Sequence, residues 1–208
     1  MSRIYRLCLL QLYTKKGDVL MGLFNREKRT CGGILTGHEI ARQVSLGNIK
    51  LENYDPANLN PNSYNLYCGD TVTIYRDLSI IDLKDPHTYE KTQTFKIDED
   101  AGFVLRPGTL YLIPSGVHME TAKFEPLITG RSSIGRLGIA VHQEAGFGDI
   151  GFSGVWTLQV KVTYPTRIYP KMSIFQVYFL TPYGKIAQLY HGKYQGSTGA
   201  VPSKLYAD

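Results

Sequence analysis

Between Gly130 and Val160 the sequence reads GRSSIGRLGIAVHQEAGFGDIGFSGVWTLQV and delivers, in order, Arg131, Ser132, Ser133 and Arg136, then Asp149, then Gln159. Guanidinium forks and hydroxyls suit phosphate oxygens, and backbone N–H groups of the intervening glycines add further donors. A carboxylate carried on the glycine-punctuated turn Ala145-Gly146-Phe147-Gly148 is the kind of group that takes a proton from water. Cation and hydroxyl cluster, carboxylate, polar strand residue is the order of a site that holds a phosphorylated ligand and activates a water. Each group also has a plainer reading: a structural ion pair for Arg131 or Arg136, and a turn aspartate for Asp149. His142, without partners at metal-ligand spacing, reads as a satisfied core or interface histidine. No Walker motif and no GxGxxG is present, which argues against a P-loop or Rossmann site.

The elements that must position these groups are mostly short strands. Thr71–Tyr75, Thr94–Ile97, Phe103–Leu105, Leu110–Pro114, Phe124–Thr129, Val155–Tyr164, Arg167–Tyr169 and Ser173–Leu180 alternate or run apolar between glycine and proline turns. Val155–Tyr164 alternates most clearly, with Trp156 and Leu158 set against Thr157, Gln159 and Lys161. Upstream, Thr36 with Glu39 three residues on forms a capping-box pattern, opening a short helix that ends near Gly47 with Ile40 and Val44 on one face. Ile49–Glu52 reads as a short strand. Asn60–Leu66, dense in amides, reads either as a turn entering a strand or as a loop that bonds across a subunit interface. The glycine-rich tail Gly192–Asp208 is a candidate lid. Many short strands at regular spacing predict an all-β barrel or sandwich with a few short helices.

Fifteen tyrosines and 21 glycines among 208 residues favour the same class. The net charge of +5 permits an anionic ligand, yet the basic residues are too dispersed to argue for nucleic acid. Three cysteines without CxxC spacing argue against a zinc site or disulfide framework and fit a reducing cytoplasm. No apolar run reaches the roughly 18 residues that span a membrane. Residues 1–32 read as an extension, either poorly ordered or the product of a start assigned too far upstream, and residues 33–208 as the domain, with its lid from about residue 190.

GRSSIGRLG followed by AGFGDIGFSGVWTL resembles the dCTP deaminase family of the dCTP deaminase/dUTPase superfamily, and ILTGHEI, NPNSYNL, RIYPKMSIFQVYF and GKYQGSTG fall in that family's order. The resemblance runs from Ile34 to about Tyr206. It implies a distorted β-barrel or jelly-roll-like fold of dUTPase type, a homotrimer with active sites between subunits, and deoxyribonucleoside triphosphates, dCTP or dUTP, bound with Mg²⁺ held through the triphosphate rather than by protein side chains. It assigns Arg131, Ser132, Ser133 and Arg136 to the triphosphate, with Arg136 serving a neighbouring subunit. Asp149 matches the aspartate that activates water in dUTPases, and Phe152 the aromatic residue packed on the deoxyribose. Lys193 and Tyr194 match the tail that closes over the nucleotide. His142, Gln143, Ala145 and Gln176 fall at base and sugar pocket positions.

Two departures bear on the chemistry. The family's deaminating glutamate is replaced by Gln159. Gln143-Glu144 replaces the family's Val-Thr, so Glu144 is a candidate substitute base, a modifier of base preference, or merely an exposed residue. Deamination at C4 of cytosine needs a group that accepts a proton from water and passes protons to N3 and to departing ammonia, which an amide cannot do. Three functions are therefore expected in descending order: hydrolysis of dUTP or dCTP to monophosphate and diphosphate, dCTP deamination with a non-standard base, and nucleotide sensing without turnover.

Overall fold

The structure, a computed structural model, describes residues 32–142 and 144–207. The expected extension over residues 1–32 therefore lies, but for Gly32, outside the described residues, as does Gln143. In chain order the elements are α1 (Gly37–Ser45), β1 (Ile49–Leu51), β2 (Tyr64–Leu66), β3 (Thr71–Tyr75), β4 (Thr92–Lys96), β5 (Phe103–Leu105), β6 (Tyr111–Thr121), β7 (Glu125–Gly130), α2 (Ser132–Gly135), β8 (Ile139–Val141), β9 (Ser153–Val162), β10 (Thr166–Ile168) and β11 (Phe175–Leu180). The fold is all-β with short helices, a distorted jelly-roll-like barrel of antiparallel strands. One sheet runs β4-β3-β6-β9-β8, with β1 also paired to β6; a second runs β2-β11-β7; β5 pairs with β10.

Thr36 caps α1 by accepting a hydrogen bond from the Glu39 backbone N–H at 3.3 Å. The reciprocal half of the capping box does not form. The Glu39 carboxylate instead takes Arg42 at 2.8 Å and Gln43 at 2.6 Å, two partners on its own helix face. Ile40 is fully buried, which fixes the helix on the barrel.

β6 runs on past Pro114, where two breakers, Pro114 and Gly116, predict its end. A bulge absorbs them: the register with β9 shifts between Pro114 and His118. Within the bulge the chain borrows partners. Gly69 N–H donates to the Pro114 carbonyl at 2.9 Å, Gly116 N–H to the Tyr67 carbonyl at 2.7 Å, and the Trp156 backbone N–H to the Ser115 hydroxyl at 2.9 Å. These bonds replace ladder partners that the bulge removes, which is how a central strand tolerates proline.

β9 is the wall on which the site is built. Trp156, Leu158 and Val160 point into the core and are buried, while Val155, Thr157 and Gln159 form the opposite, half-exposed face. That face is covered by the C-terminal tail. Val155 N–H donates to the Ser197 carbonyl at 2.7 Å, Ser197 Oγ–H to the Val155 carbonyl at 2.6 Å, and Val201 N–H to the Thr157 hydroxyl at 2.8 Å. A side chain at Gly154 would place its Cβ 2.9–3.0 Å from the Ser197 backbone N, backbone O and Oγ, so glycine is what lets the tail lie against the strand. Gly154→Val is expected to lift residues 195–198 and speed tryptic cleavage at Lys193 on the order of tenfold, the opening of a strap held by a few hydrogen bonds. Cleavage at the unaltered rate would mean that the tail is held elsewhere.

Candidate active site

A cavity of about 410 Å³ lies between β9, the turn that follows β8, and the tail. Its walls are mostly aromatic and aliphatic: Leu110, Leu112, Val155, Phe152, Trp156, Tyr190 and Tyr194. Phe152 sits edge-on to Trp156 at 5.4 Å and to Tyr190 at 5.9 Å between ring centroids. Into this apolar shell come a few polar groups, Asp149, Gln159, His142 and Thr157. A largely apolar pocket with few convergent polar groups is the form of a small-molecule site.

Asp149 is placed by backbone pairing. Ile128 N–H donates to the Gly146 carbonyl at 2.9 Å and Gly148 N–H to the Pro126 carbonyl at 3.0 Å, so residues 146–148 run antiparallel to β7. Gly148 lies flat on the Trp156 indole: a Cβ there would fall 2.6 Å from Cζ2 and 2.9 Å from the Pro126 oxygen, and closer still to Cη2. The glycines therefore set the turn against β7 and the indole, and Asp149 emerges exposed at the cavity mouth. The same register brings Glu125 beside it. Burial first, and then the Asp149 charge, push the Glu125 carboxyl up, and one of its oxygens is sealed with no hydrogen-bond partner among the described residues. Nothing in the sequence marks Glu125; only the pairing of residues 146–148 with β7 reveals it.

Gln159 is held by His142, whose Nδ1 lies 3.1 Å from Gln159 Oε1, while the His142 backbone N–H donates to the Gln159 carbonyl at 2.8 Å. His142 adopts φ +56°, a left-handed turn that swings its ring back against β9. The ring is 7% exposed, and burial lowers its pKa to about 4, against a smaller raising effect from the Gln159 hydrogen bond. His142 is thus neutral at pH 7. Its folded pKa lies below the unfolded value of 6.5, so the unfolded chain binds the extra proton between those values. Stability from this group is complete above about pH 6.5 and is lost as pH falls toward 4, by up to about 3 kcal/mol. The expected result is a melting temperature that falls between pH 7 and pH 5 and falls less in His142→Gln. Equal pH dependence in both would contradict the assignment.

The cavity collects Asp149, Gln159, His142, Ala145, Phe152 and Tyr194. The cation cluster does not line it. Arg131 donates through Nη1 to the Ser173 carbonyl at 2.8 Å, and Ser132, Ser133 and Arg136 are exposed on and just after the single turn of α2. Gln176 lies in β11, where Ser63 donates to its Oε1 at 3.1 Å and its Nε2 donates to the Gly130 carbonyl at 3.1 Å. Ser63 and Asn60 join the same chain, Asn60 Nδ2 donating to Ser63 Oγ and to Asn65 Oδ1, so the amide-rich segment bonds within its own chain. Glu144 is exposed and does not line the cavity. Lys193 is half-buried on the tail with its ammonium 5.9 Å from the Tyr194 ring centroid. Tyr194 OH accepts from Lys204 N–H at 3.0 Å.

Residues 34–181 match the family model described as dCTP deaminase-like. The chain belongs to this family. Similar curated relatives include the "dCTP deaminase, dUMP-forming" of Leptospira biflexa, 45% identical over 175 residues that span 84% of this chain and 97% of the relative. The "dCTP deaminase, dUMP-forming" of Clostridium beijerinckii is 42% identical over 175 residues, 84% of this chain and 98% of its own. Among solved structures, the 2'-deoxycytidine 5'-triphosphate deaminase from Agrobacterium tumefaciens superposes with a TM-score of 0.58 at 20% identity, over 73% of this chain and 49% of that one. Membership makes the chain an enzyme-family domain of deoxynucleotide metabolism and agrees with its all-β architecture. The tail that straps β9 follows the segment that the family model matches. Among the described residues no helix is long and apolar enough to cross a membrane.

Proposed function

We propose that this chain hydrolyses a pyrimidine deoxynucleoside triphosphate, dUTP first, to the monophosphate and diphosphate. The observation that supports this reading is one cavity holding an exposed carboxylate, Asp149, together with an amide, Gln159, where deamination requires a base. Asp149 accepts a proton from a water whose oxygen bonds to the α-phosphorus. The bond from that phosphorus to the oxygen bridging toward the β-phosphate breaks, and diphosphate departs with that oxygen. Phe152, Trp156 and Tyr190 flank the nucleoside, and the tail excludes solvent.

Arg131, Ser132, Ser133 and Arg136 hold the triphosphate in this reading, supplied to the cavity by a neighbouring copy in a homotrimer. Lys193 and Tyr194 add to it from the tail. Among the described residues no three His, Cys, Asp or Glu side chains gather as a metal site, and Asp149 is the one carboxylate on the cavity. That donor set suits a Mg²⁺ that arrives on the triphosphate and keeps phosphate and water oxygens as ligands. When bound, the ion neutralises phosphate charge.

A second reading, conversion of dCTP to dUMP with release of ammonia, is favoured by the names of the relatives and opposed by Gln159. Hydrolysis in ¹⁸O-labelled water tests the proposed step. The label is expected in dUMP; label in the diphosphate would place attack at the β-phosphorus and remove Asp149 from the role given to it.

A further inference from the structure

Two buried ring nitrogens on the cavity wall have no hydrogen-bond partner among the described residues: His142 Nε2 and Trp156 Nε1. Both residues are 7% exposed, and their rings meet edge to face with centroids 6.0 Å apart. A buried polar nitrogen left unpaired costs about 1–3 kcal/mol, so the ring of His142 depends on the one side-chain hydrogen bond it does make, to Gln159. The indole N–H can only donate.

Gln159 Oε1 can only accept, so the single proton of the neutral ring sits on Nδ1, 3.1 Å away, and Nε2 keeps a lone pair. The imidazole therefore donates toward the glutamine and keeps its acceptor nitrogen buried. With its oxygen held toward His142 Nδ1, the planar amide turns its NH₂ the other way. That nitrogen makes no hydrogen bond among the described residues, and Gln159 lines the cavity.

We infer that His142 and Gln159, with the Trp156 ring packed edge-on to the imidazole, form a one-way hydrogen-bond relay that presents a donor to the ring of the ligand, so that the cavity selects a pyrimidine with a carbonyl at C4 over one with an amino group there. Gln159 is then the specificity-determining residue, and His142 and Trp156 are positioning residues that keep its amide from turning over. A C4 carbonyl accepts from the Gln159 NH₂. A C4 amino group meets it donor to donor, and turning the amide over to present its oxygen breaks the bond to His142 Nδ1. The inference rests on the nucleotide reading above but not on turnover: it concerns which ring is bound.

Trp156 is the only tryptophan in the chain, so its fluorescence reports binding at this wall directly. The experiment is titration of the full chain, with Mg²⁺, with the α,β-imido analogues of dUTP and dCTP, which bind without being cleaved. The uracil analogue is expected to bind at least about tenfold more tightly, the equivalent of about 1.4 kcal/mol. Equal affinities, or tighter cytosine binding, overturn the inference on the wild-type protein alone. His142→Leu frees the amide and is expected to bring the ratio to within about threefold of one, whereas His142→Asn, whose amide N–H stands where Nδ1–H stood, retains the preference. A ratio unchanged in His142→Leu removes the relay. If the uracil preference holds but dUTP is never cleaved, the hydrolase proposal fails and the relay stands; if dUTP is cleaved and the two analogues bind alike, the reverse is true.

Discussion

In Asp149→Asn, diphosphate release from dUTP is expected to fall by about 10²–10⁴-fold while affinity for the nucleotide changes little. The amide keeps the shape of the carboxylate but cannot take the proton of the attacking water. The turn that carries it is held by other means: Gly146 and Gly148 pair with β7, and Gly148 lies on the Trp156 indole. The substitution thus removes a proton acceptor without moving the wall. It also removes the charge that helps hold the Glu125 carboxyl up, so Glu125 ionises more readily in the variant. Steady-state diphosphate release and analogue binding, measured side by side, separate the chemical step from association. Release at the wild-type rate would mean that Asp149 is not the water-activating group.

Gln159→Glu is expected to create dCTP deamination, raising ammonia release by about 10²–10⁴-fold over the parent chain. The reaction needs a carboxylate that takes a proton from water and returns protons to N3 and the amine. His142 is neutral at pH 7 and already places Nδ1 3.1 Å from the side chain at this position, so a glutamate carboxylate there inherits a ready donor. The substitution also replaces the donor that faces C4 with an acceptor, so affinity for the cytosine nucleotide rises along with turnover. Ammonia is measured with dCTP at saturating Mg²⁺. No gain would mean that the pocket has been remodelled at other positions, Gln143 and Glu144 first.

Strands with clean alternation and clear turns were legible residue for residue, as at Thr71–Tyr75 and Phe103–Leu105. β6 was legible only to Pro114, because proline and glycine normally end a central strand, and the bulge that rescues it depends on partners from residues 67–69 and on the Ser115 hydroxyl, all distant in sequence. β8 is three residues long after a glycine with φ +76°, too short to carry a period. The helical turn of α2 follows Arg131, which makes no side-chain cap, so no start signal precedes it.

Much of the site follows from one stretch of sequence because β9 and the turn before it supply Asp149, Phe152, Trp156 and Gln159 to one cavity. The hydrogen bond between His142 and Gln159 was not legible, since it depends on a left-handed residue and on strand register. The tail's glycines announced a segment unsuited to the core, while its docking on Val155 and Thr157 needed the bare Cα of Gly154, which has meaning only once both strands are in place.

The proposed function has diphosphate release surviving where deamination does not. It is tested most directly by incubating the purified full chain with Mg²⁺ and, separately, dUTP and dCTP, following diphosphate and ammonia in the same samples. Diphosphate from dUTP with no ammonia from dCTP is the predicted result. Ammonia released from dCTP would contradict it, and would mean that another group performs the proton transfers that Gln159 cannot.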